Sequence, residues 1–121
     1  MHAPAEILPW QLEYRQLIVP VFAEADVATA MNIACRLAAE RRSMITIVAP
    51  LEVPLGSPIG ARLPEEERMG ELLDEAEAIG DGYGISVRPR LVRTRSAGEA
   101  IVAEAEHHHA EIIILPARRP Q

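Results

Sequence analysis

Three consecutive histidines, His107, His108 and His109, are the most conspicuous candidate ligands in the chain. Neighbouring helix residues point about 100° apart, so three in a row cannot converge on one ion while the helix stays wound. No carboxylate or cysteine stands at a spacing that would complete such a set, and no metal is expected. At a helix terminus the charged form of histidine instead suits the negative end of the dipole. Cys35 lies among small apolar residues with no base beside it, which reads as packing rather than as a reactive thiol. Glu65, Glu66, Glu67, Glu71, Asp74 and Glu75 have the spacing of a wet helix face, not of an acid/base pair. No Gly-x-Ser-x-Gly elbow, Walker loop, His-Glu-x-x-His or Cys-x-x-Cys occurs. These residues supply no catalytic constellation, and no enzyme is expected. Arg88, Arg90, Arg93 and Arg95 crowd one short stretch. They read as solvated side chains beside a strand, an anion or acidic-partner site being the other reading.

Composition narrows the classes further. A chain of 121 residues has room for one core, and 49% hydrophobic residues suffice to fill it, although aromatics are only 3%. The net charge of −6 argues against general affinity for nucleic acid or anionic lipid. No apolar run approaches the ~20 residues of a membrane span, and Pro4, Glu6 and Pro9 interrupt any signal-peptide core. A single cysteine excludes an intrachain disulfide and fits a reducing, cytoplasmic setting.

The elements that would carry a site follow from periodicity. Residues 1–16, with two prolines and the only tryptophan, Trp10, read as an arm packed on the body. The domain proper spans 17–116, and 117–121 form a tail. LIVPV (17–21) and MITIVA (44–49) are continuous apolar runs, as in parallel strands covered on both faces. Asp26 caps a helix whose polar stripe is Thr29, Asn32, Arg36 and Glu40. A proline-rich loop follows the second strand, long enough to read as functional or mobile, and Pro64 with three glutamates opens the second helix. GDGYG (80–84) stops that helix. In ISVRPRLVR, apolar and charged residues alternate and Pro89 interrupts the ladder, so this strand belongs at an edge. Ser96 and Glu99 have the spacing of a capping box for the third helix, and EIIIL (111–115) is a fourth apolar strand. The β-α-β-α-β-α-β order predicts an α/β fold: a parallel sheet with helices on both faces.

LIVPV, MITIVAP with its long loop, and SAGEAIVAEAEHHHAEIIIL together resemble the universal stress protein family over roughly Gln16 to Pro116. The resemblance implies that family's fold, akin to the adenine nucleotide alpha hydrolases, with strand order 3-2-1-4-5. Here the order would be 3-2-1-4, the fifth strand and last helix being absent and the domain incomplete at its C-terminal end. Nucleotide-binding members have an aspartate after the first strand, then glycine and serine; this sequence has Phe22, Ala23 and Glu24. Those members also carry Gly-x-x-Gly, nine residues, then Gly-Ser or Gly-Thr after the fourth strand, where the backbone cradles phosphate. Here Leu115 is followed by Pro116, Ala117, Arg118, Arg119 and Pro120. ATP or AMP is therefore disfavoured, and no cofactor is expected.

A sheet in this order opens a crevice where its connections reverse, at the C-terminal ends of the first and fourth strands. Val21, Phe22, Ala23, Ala49, Leu115 and Pro116 would line it, with Arg118 and Arg119 in reach of an anion. With these departures the leading expectation is a non-catalytic module acting by self-association or protein contact; the resemblance implies one setting for it, a regulatory domain fused to a membrane transporter. An adenine-nucleotide-binding stress-response protein with a degenerate loop is the alternative, and an arginine-dependent anion sensor a weaker third. EIIIL would form an apolar edge, which proteins normally cover. Ile7, Leu8 and Trp10 of the arm, or Ile112, Ile113 and Ile114 of a second copy, would cover it, and a homodimer with a buried arm is expected.

Overall fold

The computed structural model describes residues 16–41 and 43–117. Ile7, Leu8, Trp10, Arg118 and Arg119, expected above to make edge or anion contacts, lie outside the described residues. The elements run β1 (Gln16–Pro20), α1 (Val27–Arg41), β2 (Met44–Glu52), α2 (Glu65–Tyr83), β3 (Val87–Thr94), α3 (Ala97–His107) and β4 (Ile112–Ile113). The four strands form one parallel sheet in the order β3-β2-β1-β4. Strand alternation assigns the two faces. Leu17, Val19, Val21, Ile45, Ile47 and Leu51 pack with Met31, Ala34, Cys35, Met69, Leu72 and Ala76 of α1 and α2. Ile18, Thr46 and Val48, the intervening residues, are buried on the opposite side, as are Ala100, Ile101 and Glu104 of α3. Burial also pushes the Cys35 thiol up, away from the reactive thiolate.

Of the three prolines in the described strands, Pro50 and Pro20 sit between paired strands and act in opposite ways. Val21 N–H donates to Val48 O (2.8 Å), so Val48 faces β1, and so does Pro50 two residues on. β1 has ended by then, and the ladder to β3 is untouched through Val48, Ala49, Pro50, Leu51 and Glu52. β2 thus runs three residues beyond the MITIVA run. Pro20 has the opposite effect. Ile114 N–H donates to Ile18 O (2.9 Å), which places Ile18 and Pro20 on the side of β4. The next ladder bond would need an N–H at Pro20, and proline has none. The fourth strand is therefore two residues long, not the five of EIIIL.

Helix ends follow backbone demands. α2 runs through Gly80 and Gly82, and only Gly84, at φ 70°, stops it. Ile85 N–H to Gly80 O (2.9 Å) and Gly84 N–H to Asp81 O (3.0 Å) close a Schellman motif. α3 ends in the same motif, with Ala110 N–H on Ala105 O (2.8 Å) and His109 N–H on Glu106 O (3.2 Å). There the left-handed position belongs to His109, at φ 52°. The histidine run is thus a helix terminus.

Only half of the capping box forms. Ser96 Oγ accepts from Glu99 N–H (3.3 Å), but Ser96 N–H donates to Thr94 Oγ1 (3.0 Å), where a Glu99 carboxylate would sit in the reciprocal arrangement. We expect Ser96→Ala to lower stability by about 1 kcal/mol and Glu99→Ala by clearly less. Thermal melts of the two variants check this; equal losses would restore the full box.

Candidate functional site

Because Pro20 ends the β1–β4 ladder, the segments beyond it diverge. After Val21 the backbone turns, with Ala25 N–H donating to Phe22 O (3.0 Å), and Asp26 then caps α1. Its Oδ1 accepts from Thr29 N–H (3.2 Å) and its Oδ2 from Thr29 Oγ1 (2.8 Å). Across the gap, Ala117 O accepts the Asp26 N–H (2.9 Å) and ties the segment after β4 to the head of α1. A crevice of about 460 Å³ remains, lined by Phe22, Ala23, Glu24, Ala25 and Pro116. A smaller one of about 270 Å³ adjoins it and shares Phe22 and Ala23, with Pro50, Leu51, Glu52, Glu65, Met69 and Ala97. Phe22 is thus a wall common to both.

Among the residues expected to line the crevice, Phe22, Ala23 and Pro116 do so. Val21 and Ala49 are fully buried in the core beneath it. Leu115 is 66% exposed and is not among the lining residues. Sequence reasoning missed Glu24 and Ala25, whose signal was their place directly after the reversing strand. It also missed Glu52, whose Oε2 accepts Ala97 N–H (2.8 Å) at the head of α3. Three donors that a phosphate could use here are engaged: Asp26 N–H by a carbonyl, Thr29 N–H and Ala97 N–H by carboxylates. The charged residues among the described lining, Glu24, Glu52 and Glu65, are all acidic.

The arginines of β3 and Arg95 just after it are neither idle nor gathered into one site. Arg95 Nη1 lies 3.2, 2.5 and 2.9 Å from the carbonyls of Val53, Pro54 and Ser57, clasping the base of the long loop. Arg93 donates to Ala61 O (2.7 Å) and pairs with Glu66 (2.8 Å). Hydrogen bonds from the Arg93 guanidinium and from Leu63 N–H hold the Glu66 carboxyl below the usual range. Arg90 grips Glu104 of α3 at two points, and Arg88 faces His108 Nδ1 at 3.4 Å. The loop that composition marked as functional or mobile is thus fastened to the edge strand at two points. Among the described residues no group of three metal-ligating side chains comes together, and no helix is long and apolar enough to cross a membrane.

No protein-family model matches this sequence, and no curated protein does. Solved structures do match the fold. A universal stress protein from Archaeoglobus fulgidus superposes with a TM-score of 0.72 at 19% identity, over 84% of this chain and 75% of that one. The universal stress protein from Archaeoglobus fulgidus in complex with dAMP gives 0.71 at 20% identity, over 84% and 80%. A universal stress protein family member from Burkholderia pseudomallei gives 0.68 at 21% identity, over 87% and 83%. The protein has the universal stress protein fold, in the strand order 3-2-1-4 that its sequence led us to expect.

Proposed function

We propose that this protein is a non-catalytic module of universal stress protein fold that works by self-association or by contact with another protein, as a cytoplasmic regulatory domain. The observation that carries the reading is the state of the crevice. Three of the N–H donors beside it, those of Asp26, Thr29 and Ala97, are already bonded, and its described charges are carboxylates, so a polyphosphate would meet repulsion with few hydrogen bonds to offset it. Phe22 stands where the resemblance implies an aspartate that would meet a nucleoside.

Calorimetric titration of the purified protein with ATP and AMP tests this. A dissociation constant weaker than about 1 mM, which is about −4 kcal/mol, is expected. Binding in the low micromolar range, with nucleotide copurifying, would overturn it in favour of a second reading, an adenine-nucleotide-binding protein. That reading draws on the dAMP complex of the Archaeoglobus fulgidus protein and on a crevice of about 460 Å³ at the reversing strands. It would use Arg118 and Arg119 as anion contacts. Light scattering on the same samples reports association, for which a dimer is expected.

A further inference from the structure

We propose that the double crevice beside Phe22 is a docking site for an arginine side chain of a partner protein, the alkyl stem lying on its apolar floor and the guanidinium among the carboxylates of its rim. The inference rests on the reading of this protein as a contact module, and it names the chemistry of one contact.

The smaller crevice has the polarity profile of that side chain. Its floor is apolar, since Leu51 and Met69 are only 2% and 4% exposed and Pro50 is buried beside them. Its rim is acidic. Glu52 and Glu65 are exposed there, and Glu24 is exposed on the rim of the larger crevice. A long basic side chain divides itself in the same way, with its stem on apolar surface and its head in a polar setting. Charges of one sign above low-dielectric walls also focus the field that draws a counter-charge in.

None of these three carboxylates pairs with a cation among the described residues. The described arginines around the long loop are held elsewhere, Arg93 by Glu66 and Ala61 O, and Arg95 by the carbonyls of Val53, Pro54 and Ser57. Glu52 is also held in place. Its Oε2 accepts Ala97 N–H (2.8 Å), which leaves Oε1 for a second donor. A carboxylate positioned by the fold loses little freedom when a ligand arrives.

Phe22 discriminates between the two basic side chains. It is half-buried and forms the wall common to both crevices. A guanidinium is planar and weakly hydrated, stacks on an aromatic face and offers carboxylates a fork of donors; an ammonium is compact and strongly hydrated. Arginine is therefore preferred to lysine. The net charge of −6 adds long-range attraction toward a basic partner.

The test titrates the isotope-labelled full-length protein with the peptide Gly-Arg-Gly, blocked at both ends, and with the same peptide carrying citrulline or lysine. The amide shifts of Ala23, Ala25 and Ala97 report binding. A saturable response with a dissociation constant of about 1–10 mM is expected for arginine. Citrulline, which keeps the shape without the charge, is expected to bind about tenfold more weakly, and lysine more weakly than arginine. Glu52→Gln with Glu65→Gln should weaken the arginine peptide by about tenfold. The amide of Gln still offers Ala97 N–H an acceptor. Phe22→Leu should erase the advantage over lysine; if it unfolds, the two Gln substitutions, at exposed positions, decide alone. Equal binding of the citrulline peptide, or arginine binding unchanged by the Gln pair, overturns the proposal. Agmatine binding without peptide binding overturns it too, because the crevice would then serve a free small molecule. A protein that associates in light scattering yet ignores the arginine peptide ends this inference and leaves the contact reading standing. A monomer that binds the arginine peptide removes self-association and leaves the docked arginine.

Discussion

Gly80→Ala is expected to destabilise the protein by about 1–3 kcal/mol, against the direction that helix propensity predicts. Gly80 lies inside α2 and is buried. A Cβ there would collide with Cγ2 of Val87 on β3 and sit 3.4 Å from Ile85 O. Val87 is β-branched with restricted χ1, and its own Cβ would lie 3.4 Å from the new methyl, so rotation relieves the clash only in part and α2 would have to shift from the sheet. Gly70, ten residues earlier in the same helix, has nothing within 4 Å of that position. Gly70→Ala should therefore stabilise by about 0.5–1 kcal/mol through backbone entropy alone. Thermal melts of both variants check the contrast, since about 1 kcal/mol moves the midpoint by roughly 4–8 °C in a domain of this size. Two shifts of the same sign would show that α2 does not approach β3 as closely as the structure has it.

Arg90→Ala is expected to cost about 1–3 kcal/mol. The Glu104 side chain is only 11% exposed on the inner face of α3, and Arg90 reaches it through Nε (2.5 Å) and Nη2 (3.3 Å). Removal of the guanidinium leaves a nearly buried carboxylate facing His108 Nε2 at 3.5 Å as its remaining counter-group. Stranding a buried charge costs more than the pair itself contributes. The figure stays below the range for fully buried pairs because the Arg90 side chain is 45% exposed. Glu104→Gln in the Arg90→Ala background should recover part of the loss, because a neutral amide is cheaper to leave unpaired. A double-mutant cycle in denaturant measures the coupling. A coupling energy near zero would show that the pair only decorates the surface.

Both expectations rest on contacts that close over the sheet, and they mark a boundary in what could be read beforehand. The apolar runs at 17–21 and 44–49, the Asp26 cap and the alternation with Pro89 were each local, and each led to the element found. Sheet order followed because right-handed crossovers leave few alternatives. The place of the crevice followed in turn, since it depends on where the strand order reverses.

What escaped were properties of pairs distant in sequence. Arg95 meets carbonyls 38 to 42 residues away, and Arg93 meets Ala61 at a separation of 32, so nothing near them announces a clasp. Facing escaped as well. Whether Pro20 or Val21 looks toward β4 is settled only when β1 is registered between two neighbours. That parity shortens β4 to two residues, opens the gap beside Pro116 and sends Val21 into the core. Local hydrogen bonding and side-chain periodicity thus determined the elements and their order from the sequence alone. The identity of the groups that meet across the sheet was decided by tertiary register, because a shift of one residue in a strand reverses every side chain and every ladder bond it makes.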